Sequence, residues 1–177
     1  AGQEAQVDFG LMGVVTDGDG RARRLWALIV TLSSSRYMYV YPTFTQTVED
    51  VCAGLDAAWR FFGGMPKHII LDNASAMVVR ASATDPGLNR AFRDYTDARK
   101  LFADTARVRH PKDKPRVENQ VPYVRERCFA GETFGSDLME IRRHTETWCR
   151  EVAGVPGELP RAGQNRAPMV IARTASA

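Results

Sequence analysis

The segment His68-Ile69-Ile70-Leu71 places the tightest constraint on what this chain can fold into. It is a short apolar run without polar alternation, bounded upstream by Gly63-Gly64 and Pro66 and downstream by Asp72-Asn73. Such a run reads as a strand buried inside a sheet, and a sheet of that kind needs helices over its faces. The neighbouring segments supply both layers. Upstream, Ala5, Val7, Phe9 and Leu11 alternate with Gln6, Asp8 and Gly10, a period-2 strand that sets Asp8 mid-strand on the face opposite the apolar one. Asp17-Gly18-Asp19-Gly20 provides turn residues, and the near-continuous apolar run Leu25 to Leu32 completes a hairpin. An EF-hand reading of these aspartates fails, because Arg21 and Arg23 occupy later ligand positions. Arg36 to Tyr41 predicts a third strand, stopped at Pro42.

Thr47, with Asp50 three residues on, predicts a helix start, and Val48, Val51, Cys52, Leu55, Trp59 and Phe62 repeat at helical spacing. Beyond the buried strand, a helix is predicted from Pro86 to Lys100 with Leu88, Phe92 and Tyr95 inward, then a fifth strand from Leu101 to Thr105. A third helix begins near Glu118, with Pro122 confined to its first turn. A fourth runs from about Asp137 to Val152 and buries Leu138, Ile141, Thr145 and Trp148. This order predicts an α/β protein with a five-stranded mixed sheet flanked by helices. Residues 1–155 read as one domain, and residues 156–177, rich in Pro, Gly, Arg and Ala, as a tail or linker.

Composition narrows the class. Hydrophobic residues make up 44% and charged residues 25%, an ordinary globular balance. No apolar run approaches the ~18 residues of a membrane helix, and the N-terminus carries no secretory pattern, so the expectation is a cytoplasmic protein. Cys52, Cys128 and Cys149 are scattered without metal-site spacing and read as small core residues. Net charge is only +3, but Arg107, Arg109, Lys112, Lys114 and Arg116 crowd one loop against the single Asp113. Taken alone, a cluster like this reads as a solvated loop.

Three acids occupy unusual positions. Asp8 sits within a strand, where aspartate is depleted; Asp72 directly follows a buried strand; Glu118 opens a helix just past the basic loop. Converging carboxylates repel one another unless a cation neutralises them, and oxygen-only ligands favour Mg²⁺ or Mn²⁺. Each acid also has an ordinary reading: a charge on a solvated sheet face, a turn or cap at Asp72-Asn73, a favourable acid at a helix start.

The flanking residues carry a resemblance. Gln6-Val7-Asp8-Phe9-Gly10, Ser34-Ser35-Arg36-Tyr37-Met38, Ala58-Trp59-Arg60-Phe61-Phe62-Gly63-Gly64, Leu71-Asp72-Asn73 and the stretch from Arg107 to Glu118 resemble the IstA-type transposases of bacterial insertion sequences. The likeness continues through Tyr123-Val124-Arg125-Glu126-Arg127 and covers roughly residues 3–135. It implies a ribonuclease H-like integrase core of the DDE class, with Asp8, Asp72 and Glu118 as catalytic metal ligands for two Mg²⁺ or Mn²⁺ ions. It also implies 3′-end cleavage of DNA followed by strand transfer, a homo-oligomeric full-length assembly, a preceding helix-turn-helix region and a helper ATPase. Two departures stand out. There are 45 residues between Asp72 and Glu118, more than in retroviral-type integrases, which suggests an enlarged segment around Val79 to Asp97. Glu158 to Val170 lacks the His-Gly-Thr-like turn of the family and keeps only Pro168.

With such a site in place, Arg109, Lys112, Lys114 and Arg116 read as phosphate contacts that position DNA without reading its sequence. Arg125, seven residues after Glu118, returns to nearly the same helix face and joins them. Two other readings remain at this point: an inactive DNA-binding or assembly module of the same fold, and a stand-alone metal-dependent nuclease.

Overall fold

A computed structural model of the protein describes residues 4–71, 89–104 and 120–153. The elements run β1 (Glu4–Thr16), β2 (Ala22–Leu32), β3 (Met38–Thr43), α1 (Val48–Phe62), β4 (His68–Leu71), α2 (Arg90–Arg99), β5 (Phe102–Asp104), α3 (Gln120–Val124) and α4 (Leu138–Trp148). Wider π-type turns at Arg125–Phe129 and Cys149–Ala153 continue α3 and α4 directly. The strands form one five-stranded sheet in the order β3-β2-β1-β4-β5. β1 and β3 pair antiparallel with β2, whereas β1, β4 and β5 run parallel. The sheet is therefore mixed, with β1 and β4 side by side.

Three strands outrun their sequence pattern, β2 by beginning at Ala22 rather than Leu25. β1 extends to Thr16 because the apolar alternation continues across a bulge: Leu11 pairs with Trp26 and Gly13 with Leu25, leaving Met12 as the extra residue, 4% exposed. β3 passes through Pro42, paired with Ala27, and ends at Thr43. Proline was expected to stop this strand. It does not, because β3 is the sheet's edge and needs no donor on its outer side.

Helix signals fare well where they can be compared. Thr47 caps α1 as one half of a reciprocal capping box with Asp50, and Gly63 closes the helix at φ 70°. The second helix starts at Arg90, where Asn89 accepts from the Ala91 amide, so its cap lies inside the span predicted from Pro86. Asp137 caps α4, which buries Ile141, Thr145 and Trp148.

Helices cover opposite faces. At Gly54 of α1 an added Cβ would lie 2.6 Å from Leu28 Cδ2 and 3.0 Å from Tyr41 Cδ1, so this helix rests directly on the β2–β3 face. At Gly10 of β1 an added Cβ would lie 2.3 Å from Val121 Cγ1, so α3 rests directly on β1. Leu28 pairs with Phe9, and Gly10 is the next residue along β1; successive strand residues face opposite ways, so α1 and α3 lie on opposite sides of the sheet. A polar tie locks α2 to α1: Trp59 Nε1 donates to Tyr95 Oη at 3.2 Å, Tyr95 donates to Asp56 at 2.8 Å, and Arg99 bridges Asp56. Among the described residues no helix is long and apolar enough to cross a membrane.

Candidate active site

Asp8 lies in the middle of β1 and pairs with Ile29 of β2. It is only 5% exposed, although the apolar residues of its strand face the other way. The solvated sheet face considered from sequence does not exist here, since α3 covers it. Oδ1 of Asp8 accepts from the amide of Phe9 at 2.7 Å, which fixes one carboxylate oxygen against the backbone. Burying a carboxylate is costly unless charge or hydrogen bonding compensates it, and the Phe9 amide supplies part of that compensation.

Two other chain segments arrive beside it. In the parallel ladder Val7 of β1 pairs with Leu71 of β4, and Asp72 is the next residue after Leu71 in the sequence. From the facing layer Val121 packs on Gly10, and Glu118 precedes Val121 by three positions. Asp72 and Glu118, like Arg109, Lys112, Lys114 and Arg116, lie outside the described residues. Residues 7–10 of β1 thus meet the described flank of each predicted ligand segment.

Arg125 is described. It begins the π-type turn after α3, and its Nε donates to the carbonyl of Leu11 at 2.9 Å, beside the β1 bulge. Sequence spacing assigned this arginine to phosphate; the structure gives one of its donors to the backbone of the strand that carries Asp8. Among the described residues, three buried polar atoms have no hydrogen-bond partner: Gln6 Oε1, Thr31 Oγ1 and Gln120 Oε1. The sequence assigns Gln6 to a strand pattern and to the segment that carries the family resemblance, and gives Gln120 no role. Among the described residues no three His, Cys, Asp or Glu side chains group to hold a metal, as expected where only one of the proposed ligands is described.

A buried carboxylate on a sheet face shared with unpaired neutral oxygens offers hard oxygen donors, which suit Mg²⁺ or Mn²⁺ and not a thiophilic ion. The cysteines stand apart from it chemically. Burial pushes the Cys149 thiol up to about 12 and the Cys52 thiol up to about 11, and raises Cys128 as well.

Residues 1–111 match the family model described as the integrase core domain. The chain belongs to the integrase core domain family. This match takes in Asp8 and Asp72 and ends before Glu118. Among relatives of this integrase core, a putative transposase of Mycobacterium tuberculosis is 38% identical over 157 residues, covering 88% of this chain and 38% of that protein. The transposase of insertion sequence element IS21 from Pseudomonas aeruginosa is 28% identical over 123 residues, covering 70% of this chain and 32% of that protein. The integrase core here therefore spans about a third of the length of these relatives. Among solved structures, the catalytic core domain of HTLV-2 integrase, in complex with magnesium in a trimeric form, aligns at TM-score 0.53 with 13% identity and 83% coverage of both chains. The simian T-cell lymphotropic virus intasome in complex with the PP2A regulatory subunit B56γ contains a chain that aligns at TM-score 0.52 with 11% identity, covering 99% of this chain and 61% of that one. Both likenesses identify the sheet as the ribonuclease H-like fold of retroviral integrase cores.

Proposed function

We propose that this integrase core is the catalytic domain of an IstA-type DDE transposase, which cleaves DNA at the 3′ ends of an insertion element and joins those ends to target DNA. One observation carries the reading: the buried carboxylate of Asp8 lies on the stretch of β1 that meets Leu71 on one side and Val121 on the other. Asp72 and Glu118 follow and precede those contacts by one and three positions. Asp8, Asp72 and Glu118 are the residues that would hold two Mg²⁺ or Mn²⁺ ions, which when bound stabilise the attacking and leaving oxygens of an in-line displacement at phosphorus.

The rest of the work falls to the chain. The buried sheet position holds Asp8 in one orientation, with Oδ1 already tied to the Phe9 amide. Arg125, tethered through Nε, keeps its terminal nitrogens for a phosphate next to the carboxylates, and Arg109, Lys112, Lys114 and Arg116 hold the DNA backbone nearby. Water attacks first and frees a 3′ hydroxyl, which then attacks the target strand; no protein nucleophile takes part. Residues 1–155 form this catalytic domain and residues 156–177 a tail. The full-length protein works in the cytoplasm as a homo-oligomer with a helper ATPase.

The test is nicking and strand transfer with Mg²⁺ or Mn²⁺ on DNA bearing the element's ends, using the full-length protein and its ATPase. Asp8→Asn, Asp72→Asn and Glu118→Gln should each lower both reactions by at least about a thousandfold, because each removes a carboxylate that would hold the cations. DNA binding should persist in all three. Normal activity in any one of them sinks the three-carboxylate assignment. An inactive parent leaves the DNA-binding module as the better account, and cleavage without joining leaves the nuclease.

A further inference from the structure

Buried polar atoms without partners are rare in native proteins, because each costs the full desolvation of the group. Among the described residues there are three of them, and they lie on β1, β2 and α3, the elements that meet at the face carrying Asp8. Gln6 and Thr31 are direct register partners on β1 and β2, so their side chains share a face. Gln6 stands two residues before Asp8 on the same strand, and alternation gives it Asp8's face as well. Gln120 opens α3, the helix laid over that face, and is followed directly by Val121, which rests on Gly10 two residues beyond Asp8. Thr31 is 2% exposed and Gln120 8%, and none of Gln6 Oε1, Thr31 Oγ1 and Gln120 Oε1 has a hydrogen-bond partner. Gln6 and Gln120 therefore bracket Asp8 from the strand below and the helix above.

The two unpaired amide atoms are acceptors, and what they lack is a donor. Asp8, which shares their face, is when charged itself only an acceptor. A hydrated hard cation supplies the missing donors, since Mg²⁺ dehydrates reluctantly and keeps several waters when protein-bound. We propose that Gln6 and Gln120 are positioning residues of the active site, their amide oxygens accepting hydrogen bonds from the hydration shell of the cation held at Asp8, with Thr31 completing the polar surface. This rests on the reading of Asp8 as a metal ligand. It adds that the buried oxygens are an outer shell for the cation, which orients the groups that touch it.

The test measures Mn²⁺ affinity of the full chain by electron paramagnetic resonance, with a short mixed-sequence duplex present, alongside thermal unfolding without metal. Gln6→Met and Gln120→Met preserve side-chain length and remove the acceptor. Each should weaken Mn²⁺ binding by about tenfold or more. Each should also unfold at or above the parent's temperature, because an uncompensated polar group has been removed from the interior. Gln120→Glu keeps the acceptor oxygens and should bind Mn²⁺ to within a few-fold of the parent. An ordinary structural role gives the opposite pattern, a lower melting temperature with unchanged Mn²⁺ affinity, and that result overturns the proposal. Asp8→Asn separates the two layers of the argument. If it abolishes Mn²⁺ binding while both Met variants bind normally, only the outer shell is wrong; if it binds Mn²⁺ like the parent, or the parent binds none, both readings fall.

Discussion

Gly10 shows how much can depend on one missing side chain. Val121 occupies the space where its Cβ would be, with Cγ1 at 2.3 Å and Cγ2 at 2.6 Å, so β1 and α3 touch through bare backbone. Gly10→Ala should cost about 1–3 kcal/mol through forced displacement of the helix. Urea denaturation of Gly10→Ala, Val121→Ala and the double variant checks this. The double variant should recover stability relative to Gly10→Ala alone, because the two residues share one contact. The thiols give a second expectation at this scale. With Cys149 pushed up to about 12, Cys52 up to about 11 and Cys128 raised as well, all three remain protonated at pH 8, so a thiol reagent should label the folded chain far more slowly than the denatured chain. Rapid labelling of the folded chain at Cys128 or Cys149 would contradict their burial. Asp8 was visible in the sequence as an acid at a strand position, but its burial was not, because burial depends on a helix that begins more than a hundred residues later.

Local signals were legible where local chemistry decides the outcome. The Thr47–Asp50 pair fixes the start of α1 as its spacing predicts, and Asn89 and Asp137 cap the helices that follow. Thr47→Ala should destabilise the fold by about 1 kcal/mol, read by chemical denaturation. The acid limb should change with it. Burial acts to raise the Asp50 pKa, but hydrogen bonds from Thr45, from the Thr47 amide and hydroxyl and from Thr43 outweigh it, so the folded value lies below 3.8. Stability from this depressed carboxyl is complete above its unfolded pKa and is lost as pH falls through the folded one. Thr47→Ala removes one of those hydrogen bonds, and the difference between parent and variant should narrow once the pH is well below 3.8. Features made by tertiary contact were not legible. The bulge at Met12 and the passage of β3 through Pro42 follow from what lies beside each strand, and no window of sequence contains that information.

For the whole molecule, the succession of strand and helix periods points to a five-stranded mixed sheet, which the structure has, but not to the spatial order β3-β2-β1-β4-β5. The convergence of segments on β1 could not be read from it either, since register is set by long-range pairing. The two halves of the sheet also differ in how they are joined. The β1–β2–β3 ladders link 13, 11 and 6 residues through short connections, whereas β4 and β5 offer 4 and 3 residues, β4 joining β1 and β5 joining β4 by parallel pairing alone. Local antiparallel contacts form early and open last, and short parallel strands do the reverse. Amides of β4 and β5 should therefore exchange with deuterium ahead of those in the β1–β2 ladder, and equal rates in the two halves would contradict this. The border between a durable half and a transient half runs between β1 and β4, between Val7 and Leu71. A protein built this way loses the junction beside Asp8 through a partial opening long before it loses its fold, and stiffening the β1–β4 border would prolong the life of that junction with little change in melting temperature.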